Sequence, residues 1–290
     1  MSSPAAVLAP AGPRAGSALA WLRGSPLAVA GGAIVVVALL VAALAPVLAP
    51  FPPYETDPGR RLQPPGATHL FGTDQFGQDV FSRVLYGARI TLVMALVAVV
   101  LGLLVGTAIG AVAGAGTRLV DDALMRFMDM LQAFPSFVLA MAVATAVGPG
   151  LVTLVVANGV VNVPLYARIV RAKMLAVRES QYGAAAICAG NPRSRVVFVH
   201  LLPNCLGPVI VQATLQSGWA ILFAAGLSFL GLGMRVPAAE WGAMIQMGSR
   251  YMVTGDWWIA FFPGLAIVLS VLGFNLLGDA LRDHLDPDRR

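Results

Sequence analysis

Charge is what this 290-residue sequence lacks most. Asp, Glu, Lys and Arg together make up 11%, less than half the roughly 25% of a soluble globular domain. Hydrophobic residues reach 58% and the mean hydropathy is +0.79, so a soluble fold is excluded. Only two cysteines occur, Cys188 and Cys205, 17 positions apart with no CxxC spacing, which reads as idle or buried thiols. The three histidines, His69, His200 and His284, lie in three separate segments and none has a zinc-binding HExxH spacing. No GxxxxGK[ST] phosphate loop occurs anywhere, so the chain cannot itself hydrolyse ATP by that chemistry. Lys173 is the only lysine, and the net charge of +5 is spread along loops without an aromatic-interleaved basic face. Nucleic acid is therefore not an expected partner.

What is present is a series of long apolar runs. At about 20 apolar residues per helical crossing, the chain has room for about six spans. The first 25 residues are rich in Pro, Gly, Ala and Ser and read as a disordered cytoplasmic tail. The run at 26–47 follows Arg14 and Arg23, and Ala43-Leu44-Ala45 resembles a cleavage site. It exceeds the usual 7–15 apolar residues of a secretory signal, so it reads as a retained anchor with membrane lipid as its partner. A polar, Pro/Gly-rich stretch to residue 89 completes this N-terminal unit, with a short amphipathic helix expected on the outer surface at 80–86. Five further runs, 90–113, 124–147, 151–170, 206–232 and 257–277, give a core unit at 90–290. Glycines and prolines inside them permit close packing and bends, which argues for a bundle.

Orientation follows from the basic residues. With the N-terminus inside, cytoplasmic segments hold thirteen Lys and Arg and outer segments hold six: Arg60, Arg61, Arg83, Arg89, Arg235 and Arg250. The expected architecture is thus an all-α, six-span membrane protein with both termini cytoplasmic. Trp241, Trp257 and Trp258 then fall near the outer interface, which favours amphipathic rings.

The spans have almost no ionisable residue at mid-membrane. Asp129 stands about one turn inside the third run and Asp279 at the end of the last. An ion-coupled transporter needs buried carboxylates or broken half-helices at the midplane, so any uphill transport must draw its energy from outside the chain. The serines within spans, Ser217, Ser228 and Ser270, have no matching base, so intramembrane hydrolysis is also disfavoured. No catalytic residue and no metal ligand is expected.

The polar stretch at 182–204 stands out, as the centre of a cytoplasmic segment at about 173–205. Ser180 can cap a helix from Gln181, Gly190 suits the left-handed position past its end, and Pro192 suits the first turn of the next helix. A basic second helix carrying Arg193 and Arg195 is expected to stop at Pro203. A short helix presented in this way fits a groove on a soluble partner, or lies on lipid headgroups; the pattern alone leaves both open.

This segment resembles the EAA loop of ABC importer permeases, with the pattern Glu-Ala-Ala-x3-Gly-x9-Ile-x-Leu-Pro. Ala185-Ala186, Gly190 and Leu202-Pro203 match it, His200 replaces the isoleucine, and Ala184 stands at the glutamate. Other stretches resemble the permeases of dipeptide, oligopeptide and nickel importers (the DppC/OppC-like group). His69-Leu70-Phe71-Gly72-Thr73-Asp74-Gln75-Phe76-Gly77-Gln78-Asp79 with Ser82-Arg83 is similar to their HxxGTDxxGRDxxSR segment, Gln78 replacing an arginine. Arg126, Asp129 and Ala133-Phe134-Pro135, Tyr166-Ala167-Arg168 with Arg171, the Phe229–Gly233 stretch, Glu240-Trp241-Gly242, the Phe274–Asp279 stretch and Leu281-Arg282-Asp283 complete the likeness.

The resemblance implies a type I importer permease fold paired with a homologous (DppB/OppB-like) permease. It further implies two P-loop ATPase subunits that carry ATP and magnesium, and an extracytoplasmic binding protein. The coupling residues would be Tyr182, Ala184, Ala185, Ala186, Gly190, Asn191, Pro192, Arg193, His200, Leu202 and Pro203. Asp74 and Asp79 read either as helix caps or as contacts for the binding protein. Glu240 and Trp241 read either as an interfacial anchor or as part of its platform.

Overall fold

The computed structural model describes residues 25–234 and 237–285. The expected tail, apart from Ser25, lies outside them, as do Arg14, Arg23, Arg235, Arg289 and Arg290 of the charge count. The described residues are almost wholly helical and include no strand, only an isolated bridge between Thr73 and Asp79. Helix α1 is Pro26–Leu48, capped by Ser25, whose hydroxyl accepts from the Ala28 N–H at 3.3 Å. Its packing is close: a Cβ at Gly31 would stand 2.6 Å from the Leu277 nitrogen.

Helix α2, Val80–Ala115, has 36 residues and would extend about 54 Å, well beyond the roughly 30 Å hydrocarbon core. The separate surface helix expected at 80–86 is instead its first two turns. Asp79 caps this start through the Ser82 N–H at 2.8 Å, and Val80, Ser82, Arg83, Val84 and Leu85 are buried. Neither glycine nor proline interrupts the helix until Gly87, where the missing side chain admits Trp241: a Cβ there would lie 2.6 Å from its ring.

The expected single span at 124–147 is broken. Helix α3, Arg118–Ala133, and helix α4, Ser136–Val147, meet at 95°. Pro135 disfavours helical geometry at Phe134, which adopts φ −85° and ψ 136°. The 12 residues of α4 reach only about 18 Å, while α3 carries Arg118, Asp121, Asp122, Arg126 and Asp129 along an amphipathic length.

Helix α5, Leu151–Glu179, packs along α2. Gly102, Gly106, Gly110 and Gly114 recur every four residues, so one stripe of α2 is bare backbone. A Cβ at Gly110 would lie 2.4 Å from the Ala167 carbonyl oxygen, and one at Gly106 2.6 Å from Tyr166 Cβ. Helix α6, Gln181–Cys188, is followed by one turn, Arg193–Arg195, and a π-helical stretch, Val196–Leu201. That stretch runs straight into α7, Leu202–Phe229. The expected stop at Pro203 does not occur: the proline falls where the π-helical stretch gives way to α7, and the helix runs on through it. Helices α8, Trp241–Ser249, and α9, Trp258–Leu285, complete the bundle. Its outer core gathers α1, α2 and α7–α9 around Trp241 and Trp258; a second core, nearer the cytoplasm, surrounds Tyr166, Met174 and Leu201.

Candidate functional site

The cytoplasmic segment is built as the sequence predicts up to Pro192. The Ser180 hydroxyl accepts from the Gly183 N–H at 3.3 Å and donates to the Val177 carbonyl at 2.6 Å, turning the chain sharply out of α5 into α6. Only glycine fits at 183, since a Cβ would approach the Val177 oxygen to 2.4 Å. Gly190 closes α6 at φ +74°. The Asn191 amide donates to the Ala186 carbonyl at 2.9 Å, and the Val196 N–H bonds back to the Pro192 carbonyl at 3.1 Å. Tyr182 and His200 join the two arms, hydroxyl to Nδ1 at 3.0 Å with edge-on rings.

Of the expected coupling residues, Ala184, Ala185, Gly190, Pro192 and Pro203 are exposed, and Tyr182 is half exposed. Ala186 is buried against the bundle, and Asn191, His200 and Leu202 are partly covered. The side chain of Arg193 lies outside the described residues. The face also presents apolar groups: Ile187, Phe198 and Val199 are 54%, 65% and 55% exposed. Ion pairs brace the helices behind it. Arg168 meets Asp129 at 2.5 Å, and Arg171 binds Asp121 in a fork with one arm at 2.7 Å, fixing α3 to α5.

On the outer side, all four residues read as possible binding-protein contacts are buried. Asp74 is 1%, Asp79 3%, Glu240 0% and Trp241 2% exposed. A direct contact through these side chains is thus corrected: they hold the outer loops together. Asp79 caps α2 and accepts from His69 Nδ1 at 2.9 Å. Asp74 is not a helix cap; it accepts from the Phe76 and Gln78 N–H groups at 2.8 and 2.9 Å and faces Arg83 at 3.5 Å. Burial pushes its carboxyl above the ordinary range, with Arg83 and the two N–H groups pulling the other way. Glu240 caps α8 through Gly242 and Ala243 at 2.8 and 2.9 Å, and burial likewise raises its carboxyl. Trp241 donates to the Val84 carbonyl at 2.9 Å and Trp258 to the Thr73 carbonyl at 3.1 Å. These two rings are interior clamps, and only Trp257, 47% exposed, remains available as an interfacial anchor.

The sequence reading missed a polar ladder deep between α5 and α7. The Asn158 amide donates to the Ala220 carbonyl at 3.0 Å. The Asn162 amide donates to the Asn158 side-chain oxygen at 2.9 Å and to its carbonyl at 2.8 Å, and the Gln216 amide donates to the Asn162 side-chain oxygen. Asn158 and Asn162, one helical turn apart in an apolar run, were the available signal.

Residues 106–290 match the family of binding-protein-dependent transport system inner membrane components, and residues 16–65 match the N-terminal transmembrane domain of oligopeptide transport permease C. The chain is 46% identical to a dipeptide transport system permease protein, DppC, of Alkalihalophilus pseudofirmus, over 92% of its own length and 87% of the relative's. It is 45% identical to a probable D,D-dipeptide transport system permease protein, DdpC, of Escherichia coli, over 94% and 91%. It is 39% identical to a glutathione transport system permease protein, GsiD, of Pectobacterium atrosepticum, over 90% and 87%. An amino acid ABC transporter crystal structure shares the fold with a TM-score of 0.53 at 16% identity, covering 72% of this chain and 94% of that one.

Proposed function

The chain belongs to the family of binding-protein-dependent transport system inner membrane components, and from that premise we propose that it carries di- or oligopeptides, moved by force applied at its cytoplasmic face. It is a multi-pass permease of the cell membrane, of the type found in ABC transport systems. The peptide class is drawn from relatives that cover nearly the whole chain at 45–46% identity. A homologous permease completes the path, an extracytoplasmic binding protein delivers the solute, and ATP is hydrolysed on two separate P-loop subunits. Residues 90–290 form the permease core, and the segment at 26–89 anchors and closes its outer side.

The observation that carries the coupling role is the built loop at 180–204. Helix α6 stands out of the bundle on a serine cap and two glycine-dependent turns, with Tyr182, Ile187 and Phe198 exposed on a cytoplasmic surface. Its base is welded to α5, and its far arm continues without a break into α7. A push on α6 therefore reaches two membrane-crossing helices at once, as a two-state lever requires. With Ala184 at the family's glutamate position, any ion pair that this carboxylate would make is absent, while the fit along the backbone is kept.

The test is co-purification of the ATPase subunits with the tagged permease. Deletion of 186–192, or Gly190→Asp, leaves the chain in the membrane and abolishes the association. Retention of the ATPases by both variants would overturn the coupling role.

A further inference from the structure

The amide ladder between α5 and α7 has a direction, and that direction identifies the open end. A backbone carbonyl can only accept, so the Asn158 atom beside the Ala220 oxygen must be its NH₂. Its side-chain oxygen is then the acceptor for the next residue, which obliges Asn162 to present its NH₂ there. The Asn162 oxygen is left on the other side and must receive the NH₂ of Gln216. Each orientation forces the next, so the assignment does not rest on telling nitrogen from oxygen. The free group at the end is Gln216 Oε1, which has no partner among the described residues.

Gln216 lies at the middle of α7 and Asn162 near the middle of α5, so the ladder sits about half-way along two helices long and apolar enough to cross the membrane. Asn158 and Asn162 are buried at 0% and 3% exposure, whereas Gln216 is half-buried at the edge of α7. Polar groups at this depth face either partner groups or a wet cavity, because a bare carbonyl oxygen against lipid is costly. Along the same edge, Gln212 lies about one turn toward the cytoplasm and Trp219 nearly one turn outward. The Trp219 ring stacks on Phe223 with centroids 4.5 Å apart, and Phe223 in turn meets Phe137 of α4 at 4.6 Å. An acceptor beside an aromatic wall suits a solute with N–H donors and variable apolar parts.

We propose that Gln216 lines the translocation path and accepts a hydrogen bond from a solute N–H, with Asn162 and Asn158 as positioning residues that fix its orientation. The proposal rests on the permease reading above and adds a residue and a donor class to it. The ladder is also polarised toward its free end, since each amide that donates inward becomes a better acceptor outward.

Two measurements on the assembled importer in membrane vesicles test it. With Cys188 and Cys205 replaced by serine, Gln216→Cys is expected to react with a charged, membrane-impermeant thiol reagent, while Val36→Cys on the exposed side of α1 does not. A rate at position 216 no higher than at position 36 would overturn the proposal, whatever the fate of the ATPase interaction. In the second, uptake of dialanine is compared with uptake of its analogue methylated at the peptide nitrogen. Gln216→Leu is expected to shrink the preference for the free N–H by roughly 3- to 10-fold, the scale of one hydrogen bond. The shared binding protein contributes equally to both permeases and cancels. An unchanged preference in a variant that still transports would refute the N–H contact, since a purely structural loss would lower both uptakes alike.

Discussion

Removing the guanidinium of Arg83 should loosen the whole outer half of the bundle. The side chain is 1% exposed and reaches three segments, at Pro53, at Asp74 and Gln78, and at Pro237-Ala238. It donates to the Pro53 carbonyl at 3.1 Å, to the Pro237 and Ala238 carbonyls at 3.2 Å each, and to the Gln78 side chain, while facing Asp74 at 3.5 Å. Arg83→Met keeps the bulk but leaves the Asp74 charge unpaired in a buried site, a loss of about 3–5 kcal/mol. At roughly 2–4 °C per kcal/mol for a chain of this size, the melting temperature falls by roughly 6–20 °C in detergent. Adding Asp74→Asn removes the stranded charge but keeps an acceptor for the Phe76 and Gln78 N–H groups, so the double variant recovers part of the loss. The single variant should also suffer less as pH falls, because protonating Asp74 neutralises the same charge. An Arg83→Met protein melting within about 2 °C of the parent near pH 8, or a double variant no better than the single, would refute the charge argument.

Three further outcomes are expected. Burial raises the Glu240 carboxyl, so in the folded protein it keeps a proton that the unfolded chain has already lost; that contribution is complete below the ordinary glutamate range and fades as pH climbs through the raised value. Glu240→Gln should accordingly show a smaller fall in melting temperature between about pH 5 and pH 8 than the parent, and equal slopes would contradict the assignment. Gly110→Leu, which forces a side chain onto the Ala167 carbonyl, should cost at least the 1–3 kcal/mol typical of overpacking and reduce folded yield on size exclusion; a parental profile would show that the α2–α5 seam can open. Ala184→Glu, at an exposed position of α6, should leave uptake near the parental level, and its loss would show that the docking groove is shaped for a small residue there.

Much of the loop at 180–204, to which the coupling role is proposed, was legible because its signals are local. Ser180, Gly190 and Pro192 act on backbone groups within a few residues, so their roles could be read without neighbours. Pro203 misled for a related reason: a proline reads as a stop, and only the π-helical stretch from Val196, with the Leu202 N–H on the Val197 carbonyl, shows that the helix is carried through it. The outer residues Asp74, Asp79, Glu240 and Trp241 looked like surface groups because polar residues in loops usually are. Their burial depends on Arg83, His69 and α8 converging from positions up to 172 residues apart.

The sequence by itself determined that this is a multi-span helical membrane protein, with an arginine bias that predicts both termini inside, and a member of a recognisable permease group. Those properties follow from sums along the chain: apolar length, arginine bias and short motifs. The tertiary structure alone decided which glycines must be glycines, where the third crossing bends, and which oxygen of the amide ladder is left open. Each depends on two helices approaching within a few ångströms, a distance that no periodicity along one chain encodes.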